Sequence, residues 1–524
     1  MKSRTEWLLI GLASAGVASI TLVPYVAAAG LVPAGRTFSG FLINPVDGYS
    51  YLSKMQQGLN GAWGFTLPYA GAPSGSAGIF LFYLALGHLA GVLNLPLLTV
   101  YHGARLLAGF LMFLSIYAFL DEVLLDRLPR LMAFAFVLAG SGLGWLAIAI
   151  GIQASDLMVP ESIPFVTSFT NPHFPLAVAL VALGAKSIVS EDRWGVRMAI
   201  GLAVGLGLGM VLPFAAVPLI GAGGVWAVWE GGRKRKWTDI RMLLRQPAWP
   251  STVGVALGAS PWLVYDYWVV TSNPVFAVWN AQNLTPSPPV WDYVLGFGLV
   301  LIWAVYAIYR GDVFQDRGSR FLVVWLTVNC LLLYAPFNLQ RRFSLGLFVP
   351  LAALAGIGVA RWVGQHTKRT AWPVIALSLI MSLPSNGLVI AAGLASAASG
   401  SPLVTESVGE ARAFGWLGEH AEPGAVVLAA PETGIRLPAY APVRVVAGHP
   451  FETPQAADRS SQLEAMFDGS LTSGMAERLL LDWDVSYVFY GPRERALGSV
   501  PFWISGFTMV FEDVGVTIYA GAAP

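Results

Sequence analysis

The stretch Trp7–Gly35, WLLIGLASAGVASITLVPYVAAAGLVPAG, carries no charged side chain, and its reading decides the fold. It follows Lys2 and Arg4 and contains Ala27-Ala28-Ala29, which together mimic a secretory signal with its cleavage site. The apolar region of such a signal is about 7–15 residues long, whereas a helix crossing the hydrocarbon core needs about 20. The segment therefore reads as an uncleaved membrane anchor. Apolar segments recur at 76–95, 99–120, 131–151, 174–190, 198–229, 249–270, 291–310, 321–337, 343–360 and 371–398, making eleven with the first at 7–29. Of the 524 residues, 56% are hydrophobic and 12% charged. That is about half the charged share of a soluble globular chain, too little to dress a water-facing surface. The expected fold class is an α-helical polytopic membrane protein of about 11–13 transmembrane helices. Segment 198–229 is too long for one span and too short for two, and Pro213 and Pro218 interrupt it, so a broken or re-entrant helix is expected there. Gly201, Gly205 and Gly209 have the spacing that lets helices approach closely. Cys330, the single cysteine, lies in an apolar run, forms no intramolecular disulfide and reads as packing.

The net charge of +1 conceals an asymmetry. Residues 401–524 hold 15 acidic and 7 basic side chains and no lysine, while the first 400 hold 15 acidic and 24 basic. Basic residues in short loops mark the cytoplasmic side. The decisive loop is Gly231–Gln246, with Arg233, Lys234, Arg235, Lys236, Arg241 and Arg245. With that loop and the N-terminus inside the cell, the lysine-free tail falls outside the cytoplasmic membrane. Helix parity between residues 76 and 230 stays open, because the loop at 152–173 has no Lys or Arg and the next carries Lys186, Arg193 and Arg197. Nucleic-acid binding is excluded, since no exposed basic domain exists to neutralise phosphates.

The expected organisation is a transmembrane body, 1–400, and an extracytoplasmic α/β domain, 401–524. Within the body, an external loop at 31–76 contains Asn44-Pro45-Val46-Asp47-Gly48-Tyr49-Ser50-Tyr51-Leu52-Ser53-Lys54-Met55. Leu52, Met55 and Leu59 recur at helical spacing, which predicts a short interfacial helix with Asp47 just before its first turn. Trp63 to Gly75 is aromatic and turn-rich, and reads as a lid at the membrane surface. In the tail, helices are predicted at Ser407–His420 and Leu471–Asp482, alternating with strands at Ala425–Leu428, Arg444–Val446, Val485–Phe489 and Thr508–Phe511 and a closing hairpin at Val514–Tyr519.

A first long external loop with an Asp shortly after the first span, some ten further apolar helices and a small external C-terminal domain together resemble the GT-C superfamily of membrane glycosyltransferases. That superfamily includes protein mannosyltransferases, the aminoarabinose transferases of lipid A and oligosaccharyltransferases. Asp47-Gly48-Tyr49-Ser50-Tyr51-Leu52, Asn171-Pro172-His173-Phe174 and Gln340-Arg341-Arg342-Phe343 look like patterns of its bacterial members. The first loop has no Asp-x-Asp pair, a departure from the oligosaccharyltransferase metal site. The resemblance implies inverting transfer of a hexosyl or pentosyl group from a polyprenyl-phosphate-linked sugar to an acceptor glycan, lipid or protein at the outer membrane face.

Such a transfer needs a base for the acceptor hydroxyl, cations for the departing lipid phosphate and a groove for the lipid chain. Asp47 is the candidate base, and as a helix cap it has a purely structural reading too. Tyr49, Tyr51, Lys54, His173, Arg341 and Arg342 are the candidate substrate-binding residues. For Lys54, contact with a phosphate stands beside snorkelling to lipid headgroups. Arg341 and Arg342 stand against the positive-inside trend and offer bidentate phosphate contacts. A divalent cation, Mg or Mn, would draw on Asp47, Asp156, Glu161 and His173, though their spacing is no metal signature. Arg105 beside His102 is an intramembrane charge with a functional and a helix-pairing reading. Asp266, among Trp and Tyr, has a sugar-stacking reading and an interfacial-belt reading. Two other function classes remain: a transporter or flippase of a lipid-linked sugar, disfavoured by the absence of repeated halves, and a non-catalytic membrane scaffold.

Overall fold

The computed structural model describes residues 4–233, 246–310 and 312–521. Most of the Arg/Lys loop on which orientation was argued, from Lys234 to Arg245, lies outside the described residues. The chain forms two compact units. One comprises Met1–Pro24, His102–Tyr265 and Thr285–Ala392; the other comprises Tyr25–Tyr101, Asp266–Leu284 and Gly393–Pro524.

Among the described residues, seven helices are long and apolar enough to cross a membrane: Arg4–Leu31, Leu97–Val123, Trp194–Val211, Pro213–Arg233, Val290–Tyr309, Gln340–Gln365 and Lys368–Ala398. An eighth arises if Arg127–Ala139 and Gly144–Ile150, bent by 42°, count as one span. The polytopic helical class stands, and further apolar segments form helices outside these seven, Trp249–Ser272 among them. Segments 76–95 and 174–190 yield only the shorter helices Leu81–Leu93 and His173–Val189, and 321–337 yields the 16-residue Arg317–Leu332. Segment 198–229 is corrected in the other direction. Its helices extend outward to Trp194 and Arg233, so the break at Leu212 and Pro213 separates two helices each long enough to span.

In the first unit, glycines set how closely helices pack. A Cβ at Gly201 would fall 2.3 Å from the Ser251 carbonyl oxygen, and one at Gly205 2.3 Å from that of Val255. The contact is reciprocal, since Cβ atoms at Gly254 and Gly258 would meet the carbonyls of Met198 and Leu202 at 2.6 and 2.4 Å. The glycine stripe read from the sequence is thus one side of a backbone-to-backbone seam with Trp249–Ser272. A second seam runs along Phe348–Gln365, where Gly356 faces the Pro129 carbonyl and Gly358 that of Trp303, each at 2.2 Å from an ideal Cβ.

In the second unit, strand β1 (Arg36–Phe38) of the first loop pairs antiparallel with β2 (Thr405–Ser407) of the tail. The tail sheet adds β3 (Val426–Leu428), β4 (Arg444–Val445), β5 (Val485–Tyr490), β6 (Thr508–Asp513) and β7 (Val516–Ala520), in the order β4-β3-β5-β7-β6. The first three are parallel; the rest are antiparallel. A two-residue link, Val514-Gly515, joins β6 to β7, with Gly515 at φ +73° as such a turn requires. Beside the sheet, Leu463, Met466 and Phe467 of helix Ala456–Asp468 pack with Val426, Leu428, Val488 and Trp503.

The first loop builds into this unit. Helix Pro45–Leu59 lies against Leu81–Leu93 so tightly that a Cβ at Gly58 would sit 2.1 Å from the Leu84 carbonyl, and one at Gly87 2.0 Å from that of Met55. The large apolar side chains of the stretch expected to form a lid are mostly packed instead: Phe65, Leu67 and Tyr69 are fully buried, while Trp63 is exposed. Residues 68–71 bracket the edge strand β4, since Val445 N–H donates to the Pro68 carbonyl (2.8 Å) and Gly71 N–H to the Val445 carbonyl (2.9 Å). An open sheet edge is thereby covered.

Gly205→Val should drive the two helices apart and destabilise the protein by about 1–3 kcal/mol. Gly224→Ala, where a Cβ meets nothing within 4 Å, should leave stability unchanged. Thermal unfolding of both variants in detergent checks the contrast, and equal melting temperatures would sink the seam as a packing constraint.

Candidate functional site

Helix Pro45–Leu59 begins three residues earlier than expected, with Asn44 at φ 49°, ψ 49° preceding Pro45 in the first helical position. Proline's missing N–H is harmless there. Asp47 therefore lies inside the first turn rather than capping a helix that starts at Gly48, and a carboxylate in that turn is favoured by the helix dipole. Asn44 Nδ2 donates to Asp47 Oδ2 at 3.1 Å.

The other Asp47 oxygen meets His449 of the tail, whose Nε2 lies 3.1 Å from Oδ1. The imidazole's tautomer follows from its second nitrogen. His449 Nδ1 accepts from the backbone N–H groups of Phe451 (3.1 Å) and Glu452 (3.2 Å), so Nδ1 carries the lone pair and Nε2 carries the proton donated to Asp47. The His449 side chain is 4% exposed, whereas Asp47 keeps 37% exposure. One wall of the carboxylate is fixed and the rest reaches solvent.

Two turns along the same helix face, Lys54 has no exposed surface. Its ammonium donates to Glu452 Oε1 at 2.8 Å and to Ser50 Oγ at 2.5 Å, and Ser50 Oγ donates to Glu452 Oε1 at 2.6 Å. The rings of Phe80, Phe65 and Tyr51 surround it at 4.5, 5.1 and 5.5 Å. Snorkelling is thus ruled out: Lys54 is committed to the tail. Burial raises the Glu452 carboxyl, but the Lys54 ammonium and the Ser50 hydroxyl pull it down, and the group is held below the usual carboxylate range.

Tyr49 is buried and donates to Glu406 Oε1 at 2.8 Å, while the Arg436 guanidinium stacks 4.9 Å from its ring. Tyr51 stacks on Tyr83 with centroids 4.4 Å apart. A cavity of about 740 Å³ is walled by Pro45, Val46 and Tyr49 from the Asp47 turn, by Gly448 and Pro450 on either side of His449, and by Arg436. Its size suits a small ligand.

Of the remaining sequence-derived residues, all but Asp266 belong to the first unit. Asp156 Oδ2 accepts from Gly142 N–H (3.0 Å), Gly144 N–H (3.2 Å) and Ser141 Oγ (3.3 Å). It thereby clamps the bend between Arg127–Ala139 and Gly144–Ile150, a structural role. His173 opens helix His173–Val189 and is buried, and Glu161 is buried with Oε2 lacking a hydrogen-bond partner among the described residues. Arg341 and Arg342 lie in the short 3-10 turn Gln340–Ser344 that precedes helix Phe348–Gln365. Arg342 rests 5.5 Å from the Phe214 ring, and Arg341 Nε is buried without a hydrogen-bond partner among the described residues. Arg105 donates to Thr21 Oγ1 and the Ser168 carbonyl, both at 2.9 Å, so it joins helices. Asp266 lies on helix Trp249–Ser272, where Tyr267 and Trp268 are exposed.

No group of three or more His, Cys, Asp or Glu gathers around a metal-sized space among the described residues.

No protein-family profile matches the chain, and no curated protein resembles it in sequence. Solved structures do. The oligosaccharyltransferase of Archaeoglobus fulgidus in its apo form superposes with a TM-score of 0.55 at 14% identity over 97% of this chain and 74% of that one. ArnT from Cupriavidus metallidurans bound to undecaprenyl phosphate gives 0.50 at 13% identity over 99% of both chains. The arabinofuranosyltransferase AftD from Mycobacteria gives 0.52 at 16% identity over 99% of this chain but 40% of the larger protein. The chain has the fold of the GT-C glycosyltransferases.

Lys54→Met, which strands Glu452 in a buried site, should cost about 3–5 kcal/mol of stability. The Glu452 contribution also has a defined pH sense. Its folded-state value lies below the unfolded one, so its stabilisation is present above the unfolded value of about 4.3 and is lost as pH falls through the folded one. Melting temperatures of wild type and Glu452→Gln, measured from neutral pH downward, should converge below about pH 4. Parallel curves would show that the pair carries no linkage.

Proposed function

We propose that the chain is a membrane glycosyltransferase that transfers a hexose or pentose from a polyprenyl-phosphate carrier to an acceptor hydroxyl at the outer face of the cytoplasmic membrane. The observation that carries this reading is the part-exposed Asp47 carboxylate, held at one oxygen by a neutral His449 of fixed tautomer on the fold described above. Two of the similar structures support the donor class: ArnT was solved bound to undecaprenyl phosphate, and the archaeal oligosaccharyltransferase AglB with dolichol-phosphate and an inhibitory peptide.

In this reading Asp47 takes the proton of the acceptor hydroxyl as its oxygen attacks the anomeric carbon. The bond from that carbon to the phosphate oxygen breaks, and the polyprenyl phosphate leaves with the electron pair. A single displacement of this kind inverts the anomeric configuration. Asn44 and His449 each hold one carboxylate oxygen, and the side chain keeps 37% exposure on the side from which an acceptor hydroxyl can approach. Arg341 and Arg342 are assigned to the lipid phosphate, and the unpaired Nε of Arg341 supports a bidentate contact.

Two measurements test the assignment in lipid nanodiscs, using undecaprenyl-phosphate-linked hexoses and pentoses with a radiolabelled sugar and a bacterial envelope fraction as acceptor. Asp47→Asn should lower kcat by about 10²- to 10⁴-fold without changing the melting temperature. Near-normal transfer by that variant would remove Asp47 from the mechanism, and no transfer from any donor by wild type would overturn the function. Arg341→Ala should weaken binding of undecaprenyl phosphate by about tenfold in native mass spectrometry; unchanged affinity would withdraw the arginine from the phosphate site.

A further inference from the structure

We infer that His449 is a positioning residue for Asp47, and that the tail turn His449–Glu452 sets the orientation of the catalytic carboxylate. The inference rests on the reading of Asp47 as the base.

The turn is closed on itself. The Glu452 and Thr453 N–H groups donate to the His449 carbonyl at 3.1 and 2.8 Å, the Phe451 and Glu452 N–H groups also donate to Nδ1 of the ring, and Gly448 N–H donates to Thr453 Oγ1 at 3.0 Å. Its ring direction is therefore set by backbone, not by a free rotamer. Three residues on, Glu452 is gripped by Ser50 and Lys54. Residues 47, 50 and 54 follow one face of helix Pro45–Leu59. Anchoring Glu452 at 50 and 54 fixes the register in which His449 arrives at 47. The buried imidazole, 6.1 Å from both the Tyr69 and Phe451 ring centres, leaves the proton-accepting role to Asp47.

A carboxylate otherwise turns freely about its last torsion. His449 at Oδ1, opposite Asn44 at Oδ2, selects one orientation before the acceptor arrives, which is how preorganisation raises a rate without tightening donor binding. His449→Asn and His449→Gln separate this role from a structural one. Asparagine reproduces the Nδ1 acceptor that closes the turn but falls short of Asp47. Glutamine places an N–H at the reach of Nε2.

With the lipid-linked donor that wild type turns over, His449→Asn should lower kcat by about 10- to 100-fold, with the donor KM within about threefold. His449→Gln should recover most of the wild-type kcat, even if its melting temperature is the lower of the two. Wild-type kcat in His449→Asn, with Asp47→Asn inactive, overturns the positioning role and leaves Asp47 as base. Activity that simply tracks melting temperature across both variants overturns it too. Full activity in Asp47→Asn removes the base reading itself.

Discussion

Lys54 has no contact with water, and the aromatic pocket around it would expel an ammonium that lacked a counter-charge. Glu452 supplies it, with Ser50 bridging the two. A buried pair of this kind is weak evidence for stability, because desolvating both ions consumes most of their attraction. What it does provide is specificity of register. The wrong alignment of tail against helix would leave two buried charges unpaired, so few alternatives compete. The placement of His449 on Asp47 and of the cavity-lining residues beside that turn follows from this one alignment.

A second buried ionic group, drawn from the same helix and the tail, reinforces it. Glu406 accepts from Tyr49 at 2.8 Å and Tyr440 at 3.1 Å, and Arg436 lies 3.7 Å away. Burial raises the Glu406 carboxyl, with Arg436 and the two phenols offsetting part of the rise. Tyr49, singled out in the sequence as a substrate contact, has its hydroxyl bound to Glu406 while part of the residue lines the cavity. Backbone contact at Gly58 and Gly87 completes the seating of the helix, because any larger residue would lift it away from Leu81–Leu93.

Much of this was legible in local pattern. Apolar run lengths marked the helical membrane body, the glycine stripe at 201, 205 and 209 marked a close helix contact, and alternation in the tail marked β3, β4, β5 and the β6–β7 hairpin. Asp47 was legible as a carboxylate opening a helix in the first loop. His449 and Glu452 were not, because they lie about four hundred residues away and no spacing rule links them to Asp47 and Lys54. The one available signal was the segment Gly448-His449-Pro450-Phe451-Glu452, which has neither helical nor strand periodicity yet carries an ionisable pair three apart. Asp156 illustrates the reverse. Its residue type suited a metal ligand, but only the bend at Gly142 and Gly144 reveals that backbone amides claim it.

The sequence by itself determined that this chain partitions into a membrane, because hydropathy is summed over neighbours and needs no fold. It determined which short segments become helix or strand, since those periodicities are local too. The tertiary structure alone decided where helices break within the apolar runs, as at Leu212 and Pro213, and it alone decided the partners of each ionisable group. Electrostatic and hydrogen-bond energies fall off over a few ångströms in space, and chain separation carries no information about them. A lysine read as reaching for lipid could therefore prove to be the anchor of the tail, and a histidine that no motif marked could prove to face Asp47.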